Sequence, residues 1–299
     1  MTNLKNLHGC GTALVTPFKA NGQLDEAALA KLVDFQISEG IDFLVPCGTT
    51  GESATLTMAE HLRVVEIVVQ NAKNRVPVIA GAGGNNTSHV IEMAKQIERL
   101  GVDGLLSVTP YYNKPTQEGL FQHYRALAEA VKLLIIVYNV PGRTSTNLLP
   151  DTVVKLSAID NIIGIKEACG EINQITELAV KIPADFKMLS GDDALTLPII
   201  ALGGVGVISV ISNQAPKMMT ELTRLCREGK FEAARTLQRK LYNLMKLNFI
   251  ETNPIPVKAG LAMMGLIEQS YRLPLVPMSE ENLRKLRNAM AELNLVAKT

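Results

Sequence analysis

The sequence predicts an α/β fold, a (β/α)8 TIM barrel with a C-terminal helical extension. Three observations predict it. Short apolar runs alternate with amphipathic stretches eight times between residues 9 and 228. The runs are continuously apolar, as strands of a parallel sheet buried on both faces are. After residue 229 the strand signals stop while helical ones continue. Eight units in roughly 230 residues is the size of such a barrel. A doubly wound sheet shares the rhythm, but no clean GxGxxG follows the first strand, and Gly81-Ala82-Gly83-Gly84-Asn85-Asn86 lacks the last glycine. The expected division is a catalytic barrel over 1–229 and a helical region over 230–299, with no linker between them.

Each unit has its own signal. Residues 9–16 read as a strand and 25–39 as an amphipathic helix ended by Gly40. The strand signal returns at 43–47, and Thr57 with Glu60 three residues on is a capping box opening a helix to about residue 74. Strands at 76–80 and 104–109 precede helices at 87–100 and 117–131. The apolar runs 133–140 and 162–168 precede helices at 150–157 and 171–181. The last two units are 187–190 with 193–202 and 206–211 with 216–228. Helical stretches at 231–249, 256–264 and 279–293 form the extension.

With 47% hydrophobic residues the chain can bury a large core, and 30 basic against 29 acidic side chains leave a net charge of +1. That balance gives no field for nucleic acid or an anionic membrane, so a small-molecule substrate is expected. No run of eighteen apolar residues occurs, and residues 1–9 lack the basic and apolar blocks of a signal peptide, so a cytoplasmic protein is expected. Cys10, Cys47, Cys169 and Cys226 lack paired metal-type spacing, and His8, His61, His89 and His123 are isolated, so neither a metal nor a cofactor is expected.

The chemistry centres on Ile162-Ile163-Gly164-Ile165-Lys166-Glu167-Ala168. Alternation places Ile162, Gly164 and Lys166 on one face and Ile163, Ile165 and Glu167 on the other. Lys166 thus points where a core residue belongs. Burial favours its neutral, nucleophilic form, the state a Schiff-base lysine needs. A structural ion pair or an exposed strand end would read the same way. The barrel gathers the carboxyl ends of its strands at one site. They deliver Gly48-Thr49-Thr50-Gly51-Glu52, Tyr111-Tyr112, Tyr138 with Arg143, Ser190-Gly191-Asp192-Asp193 and the run around Ile208. Taken singly, the threonines could form an ordinary turn, the paired tyrosines could be packing, Arg143 a surface ion pair and Asp193 a helix cap. Together an amine, a phenol, hydroxyls and a guanidinium make a carbonyl-handling site: Lys166 attacks a ketone, Tyr138 shuttles protons, and the enamine is the carbon nucleophile.

Gly48-Thr49-Thr50-Gly51-Glu52, the stretch from Tyr138 to Thr144, Gly164-Ile165-Lys166-Glu167-Ala168 and Asn253-Pro254-Ile255-Pro256-Val257-Lys258 together resemble the dihydrodipicolinate synthase family, over about residues 9–293. The resemblance implies condensation of pyruvate with L-aspartate 4-semialdehyde in diaminopimelate and lysine biosynthesis, by a homotetramer built as a dimer of dimers. It places Lys166 at the Schiff-base position and Tyr138 at the general acid/base position. Thr49 and Tyr112 complete the proton relay, Tyr112 reaching in from a neighbouring subunit. Thr50 and Ile208 hold pyruvate, Ile208 through its backbone, Gly191 forms the pocket wall, and Arg143 receives the semialdehyde carboxylate. Related sugar-acid lyases such as N-acetylneuraminate lyase share the lysine and tyrosine but differ around Arg143; they are the alternative, with a non-catalytic keto-acid sensor as a second. Ser53, Ala54, His61, Asn85 and Tyr111 are compatible with the lysine site of feedback-inhibited members. His89 and Met58 replace a glutamate and a histidine there, so weak or absent inhibition by lysine is expected.

Overall fold

In the computed structural model, which describes residues 4–297, the strands are β1 (Gly9–Ala13), β2 (Phe43–Val45), β3 (Ile79–Gly81), β4 (Gly104–Val108), β5 (Leu134–Asn139), β6 (Ile162–Glu167), β7 (Lys187–Ser190) and β8 (Gly206–Ser209). Between and after them run α1 (Glu26–Ser38), α2 (Met58–Ala72), α3 (Thr87–Glu98), α4 (Gln117–Ala130), α5 (Pro141–Thr144), α6 (Pro150–Leu156), α7 (Ile172–Lys181), α8 (Thr196–Ala201) and α9 (Pro216–Arg227). The chain then continues through α10 (Phe231–Leu247), α11 (Ile255–Met263) and α12 (Glu280–Glu292). All strand pairings are parallel, in the order β2-β1-β8-β7-β6-β5-β4-β3. The remaining gap is bridged by the Leu44↔Val78 pair and by the Gly81 amide donating to the Pro46 carbonyl. The fold is the predicted TIM barrel with C-terminal helices.

Alternation sorts the strand side chains into two cores. Phe43, Val45, Ile79, Leu106, Ile136, Tyr138, Leu189 and Ile208 fill the barrel. Leu44, Ala80, Leu105, Ile135, Val137, Ile165, Met188 and Val207 face the helices. One strand departs from strict alternation. The β5–β6 register jumps from Ile135↔Ile162 to Ile136↔Gly164, leaving Ile163 as a bulge. Ile162 therefore joins the outer core and Ile163 packs against the inner one, the reverse of the expected faces. Beyond the bulge the alternation resumes, and Lys166 is inside as read.

Most boundaries match the sequence reading within a few residues, and the differences have causes. The strand expected at 76–80 is shifted to 79–81, because Pro77 lacks the ladder donor. The capping box is present: Thr57 Oγ1 accepts from the Glu60 amide, and the Glu60 carboxylate accepts from the Thr57 amide at 2.9 Å. The helix expected over 193–202 is a 3-10 turn followed by α8. The cap there is Asp192, whose carboxylate accepts from the Ala194 amide at 2.9 Å. Asp193 is not the cap expected of it: its Oδ2 accepts from the Val210 and Ile211 amides, both at 3.0 Å, tying the β7 loop to the end of β8. Its side chain is turned inward by those two donors.

Candidate active site

Lys166 and Tyr138 are register partners on β6 and β5, both facing into the barrel near its carboxyl end. The Lys166 ammonium nitrogen lies 4.3 Å from the centroid of the Tyr138 ring. Behind them, on the outer face, the next register pair is an amide–carboxylate clasp in which Asn139 Nδ2 donates to both Glu167 oxygens at 3.1 and 3.2 Å. The Cys169 amide donates to the same carboxylate at 2.7 Å, and the Leu148 amide to Asn139 Oδ1 at 2.9 Å. The inner pair is thus fixed from its back. Burial lowers the pKa of Lys166 to about 7; the nearby Arg143 charge adds to that effect and the Asp193 carboxylate opposes it. Burial pushes the Tyr138 phenol up to about 12, against the pull of Arg143 and of a hydrogen bond with the Thr49 hydroxyl. A neutral amine and a neutral phenol are therefore both available at neutral pH.

The two line a cavity of about 400 Å³ together with Thr49, Thr50, Arg143 and Gly191. The threonines stand on a loop whose ends, Cys47 (φ 56°) and Glu52 (φ 54°), are both in the left-handed region. Thr50 is buried, and its Oγ1 accepts from Asn253 Nδ2 at 3.0 Å. Arg143 stands on the four-residue helix α5, started by Pro141, and donates to the Asn253 carbonyl at 3.2 Å. Gly191 leaves room for the amine: a Cβ there would lie 2.7 Å from the Ala168 Cβ and 3.1 Å from the Lys166 Cε.

Two expected site residues lie elsewhere. Ile208 is fully buried in the inner core and does not line the cavity, whereas Val210, two residues on, does. Tyr112 is 89% exposed and in the left-handed region (φ 73°), away from the cavity of its own chain. Sequence reasoning gave no role to several lining residues. Met245, Lys246 and Phe249 come from the end of α10 and the turn after it, and Asn253 from the segment before α11. The only signal was for Asn253, which opens the Asn253-to-Lys258 motif; Met245, Lys246 and Phe249 had none.

Comparison with known proteins agrees with this architecture. A relative from Koribacter versatilis bearing the name 4-hydroxy-tetrahydrodipicolinate synthase is 53% identical over 97% of this chain and 97% of its own. The crystal structure of dihydrodipicolinate synthase from Aquifex aeolicus is similar with a TM-score of 0.96, 45% identity and coverage of 98% of this chain and 100% of that one. The chloride-inhibited dihydrodipicolinate synthase from Acinetobacter baumannii complexed with pyruvate also scores 0.96, at 45% identity, covering 97% and 100%. The family profile described as the dihydrodipicolinate synthetase family matches residues 6–293. With that match over a barrel whose inward lysine and tyrosine share one cavity, the chain belongs to the dihydrodipicolinate synthetase family.

Proposed function

We infer that this chain is an enzyme that condenses pyruvate with L-aspartate 4-semialdehyde to give 4-hydroxy-tetrahydrodipicolinate, in diaminopimelate and lysine biosynthesis. The observation that carries the reading is the buried Lys166 amine, with its pKa lowered to about 7, beside the Tyr138 phenol in one cavity. Relatives bear the name of this synthase, and a similar structure holds pyruvate.

The neutral Lys166 amine attacks C2 of pyruvate, and the carbinolamine loses water to give the iminium. Tyr138, hydrogen-bonded to Thr49, carries the protons of these steps. Loss of a C3 proton gives the enamine, which attacks the semialdehyde carbonyl and forms the carbon–carbon bond. The semialdehyde's own amine then displaces Lys166 from C2, closing the ring and freeing the enzyme. Thr50 holds the pyruvate carboxylate, Gly191 leaves it space, and Arg143 takes the semialdehyde carboxylate, while Ile208, expected to help through its backbone, does not line this cavity. The exposure of Tyr112 supports its assignment as a relay member given to a neighbouring subunit, in a homotetramer formed as a dimer of dimers. Among the described residues no helix is long and apolar enough to cross a membrane, which suits a cytoplasmic enzyme acting on small anions.

The test is intact-protein mass after borohydride reduction in the presence of pyruvate, wild type against Lys166→Ala. A pyruvate-sized adduct on the wild type alone is expected. A folded wild-type protein without an adduct would sink the mechanism.

A further inference from the structure

The loop that carries Thr49 and Thr50 is gripped from the C-terminal layer at two points. One is the hydrogen bond from Asn253 Nδ2 to Thr50 Oγ1. The other is an ion pair between Lys258 Nζ, on α11, and Glu52 Oε1 at 2.5 Å, with side chains 0% and 1% exposed. The ammonium also lies over the Phe18 ring at 4.4 Å and the Tyr271 ring at 5.3 Å. Arg272 covers Phe18 at 4.3 Å and pairs with Glu60 of α2. The other Glu52 oxygen has no hydrogen-bond partner.

Such a pair needs a reason. Two charges taken fully out of water gain little over apolar residues of the same volume, so stability does not account for it. Geometry does. The loop bends through left-handed residues at both ends, a conformation that persists only where the surroundings enforce it. The Glu52 backbone is one of those bends, and its side chain is the one Lys258 holds.

We propose that Lys258 is a positioning residue: acting through Glu52, it keeps the 47–52 loop in the form that sets Thr49 against Tyr138 and Thr50 in the pyruvate end of the cavity. This rests on the assignment of that cavity to pyruvate imine formation. It gives the C-terminal layer a part in the reaction through a side chain that does not itself line the catalytic cavity.

The experiment compares wild type, Glu52→Gln and the double variant Glu52→Met/Lys258→Met, which replaces the pair by apolar side chains of similar length. Each is measured for thermal midpoint, for KM of both substrates and for the rate of borohydride-trapped pyruvate adduct. The expected double variant is folded, with a midpoint within about 5 °C of wild type. Its pyruvate KM rises and its trapping rate falls by about tenfold or more, as misplaced reacting groups dictate, while its semialdehyde KM stays within about twofold. Glu52→Gln shifts pyruvate KM in the same direction. A folded double variant with wild-type pyruvate KM overturns the proposal. Loss of fold in both variants overturns it too, because the pair would then be a structural tie. Absence of any adduct on wild type would instead refute the pyruvate reading itself.

Discussion

The acidity of Lys166 should set the pH dependence of imine formation. Burial brings its pKa from 10.5 to about 7. At pH 8 roughly nine-tenths of such an amine is neutral, against about 0.3% of an ordinary lysine, so burial multiplies the nucleophilic population about 300-fold. The assay is the initial rate of borohydride-trapped pyruvate adduct at low pyruvate, from pH 5.5 to about 9. Below about pH 7 the rate should fall about tenfold per unit, and above about pH 8 it should be flat. Asp193→Asn supplies the sign check. The Asp193 carboxylate raises the Lys166 pKa, so removing its charge lowers that pKa and moves the acid limb to lower pH. The amide oxygen of asparagine can still accept from the Val210 and Ile211 amides. A rate that keeps climbing through pH 9 would refute the burial argument, and an acid limb moved upward by Asp193→Asn would refute the electrostatic one.

The same shift has a cost in stability. Because the folded-state pKa lies below the unfolded value, the unfolded chain binds the extra proton between about pH 7 and pH 10.5, and stability from this group rises with pH across that window. At pH 7 the penalty is on the order of 4 kcal/mol. Lys166→Met should remove it and raise the thermal midpoint at pH 7 while abolishing the adduct.

Two further outcomes follow from the cavity walls. Arg143→Ala should lower kcat/KM for the semialdehyde by about 10- to 100-fold, the worth of charge-assisted hydrogen bonds, and leave pyruvate adduct formation nearly intact. Unchanged semialdehyde kinetics would remove the main support for the acceptor's identity. Ser53, Ala54, His61 and Tyr111 line a second cavity of about 490 Å³; its one lining carboxylate, Glu52, is already paired with Lys258, and the exposed His89 is not among its lining residues and supplies no carboxylate nearby, so lysine should inhibit weakly or not at all. Half-maximal inhibition at micromolar lysine would contradict this.

How far the sequence was legible depended on whether the signal was local. Eight apolar runs and their caps are local, and they specify the barrel. Lys166 inside was legible because it ends such a run. The bulge at Ile163 was not, because it depends on how β6 registers with β5, and a one-residue slip exchanges the faces on either side of it. Arg143 was found as a residue, but α5 was not found as an element: four residues are too few to show a helical period. Asp193 was misjudged because an acid before a helix is ordinarily its cap, and the adjacent Asp192 took that place. Met245, Lys246 and Phe249 reach the cavity from the far end of the chain, and nothing near them in sequence says so.

These contacts from the far end bear on the chemistry at Lys166. Desolvation is the largest influence on its pKa, ahead of both the Asp193 and Arg143 charges. Its acidity is therefore set less by any one neighbour than by how completely the cavity shuts out water. Thr49 and Thr50 form part of that wall, and Met245 and Phe249 form another part. A loop released from Lys258 would admit water as well as misplace the threonines. Hydration restores the charged amine, so the acid limb of the double variant should move upward in pH, opposite to the shift expected for Asp193→Asn. Opposed shifts would separate loss of enclosure from loss of a charge. A double variant with a lowered pyruvate adduct rate but an unmoved limb would confine the role of the pair to placing Thr49 and Thr50.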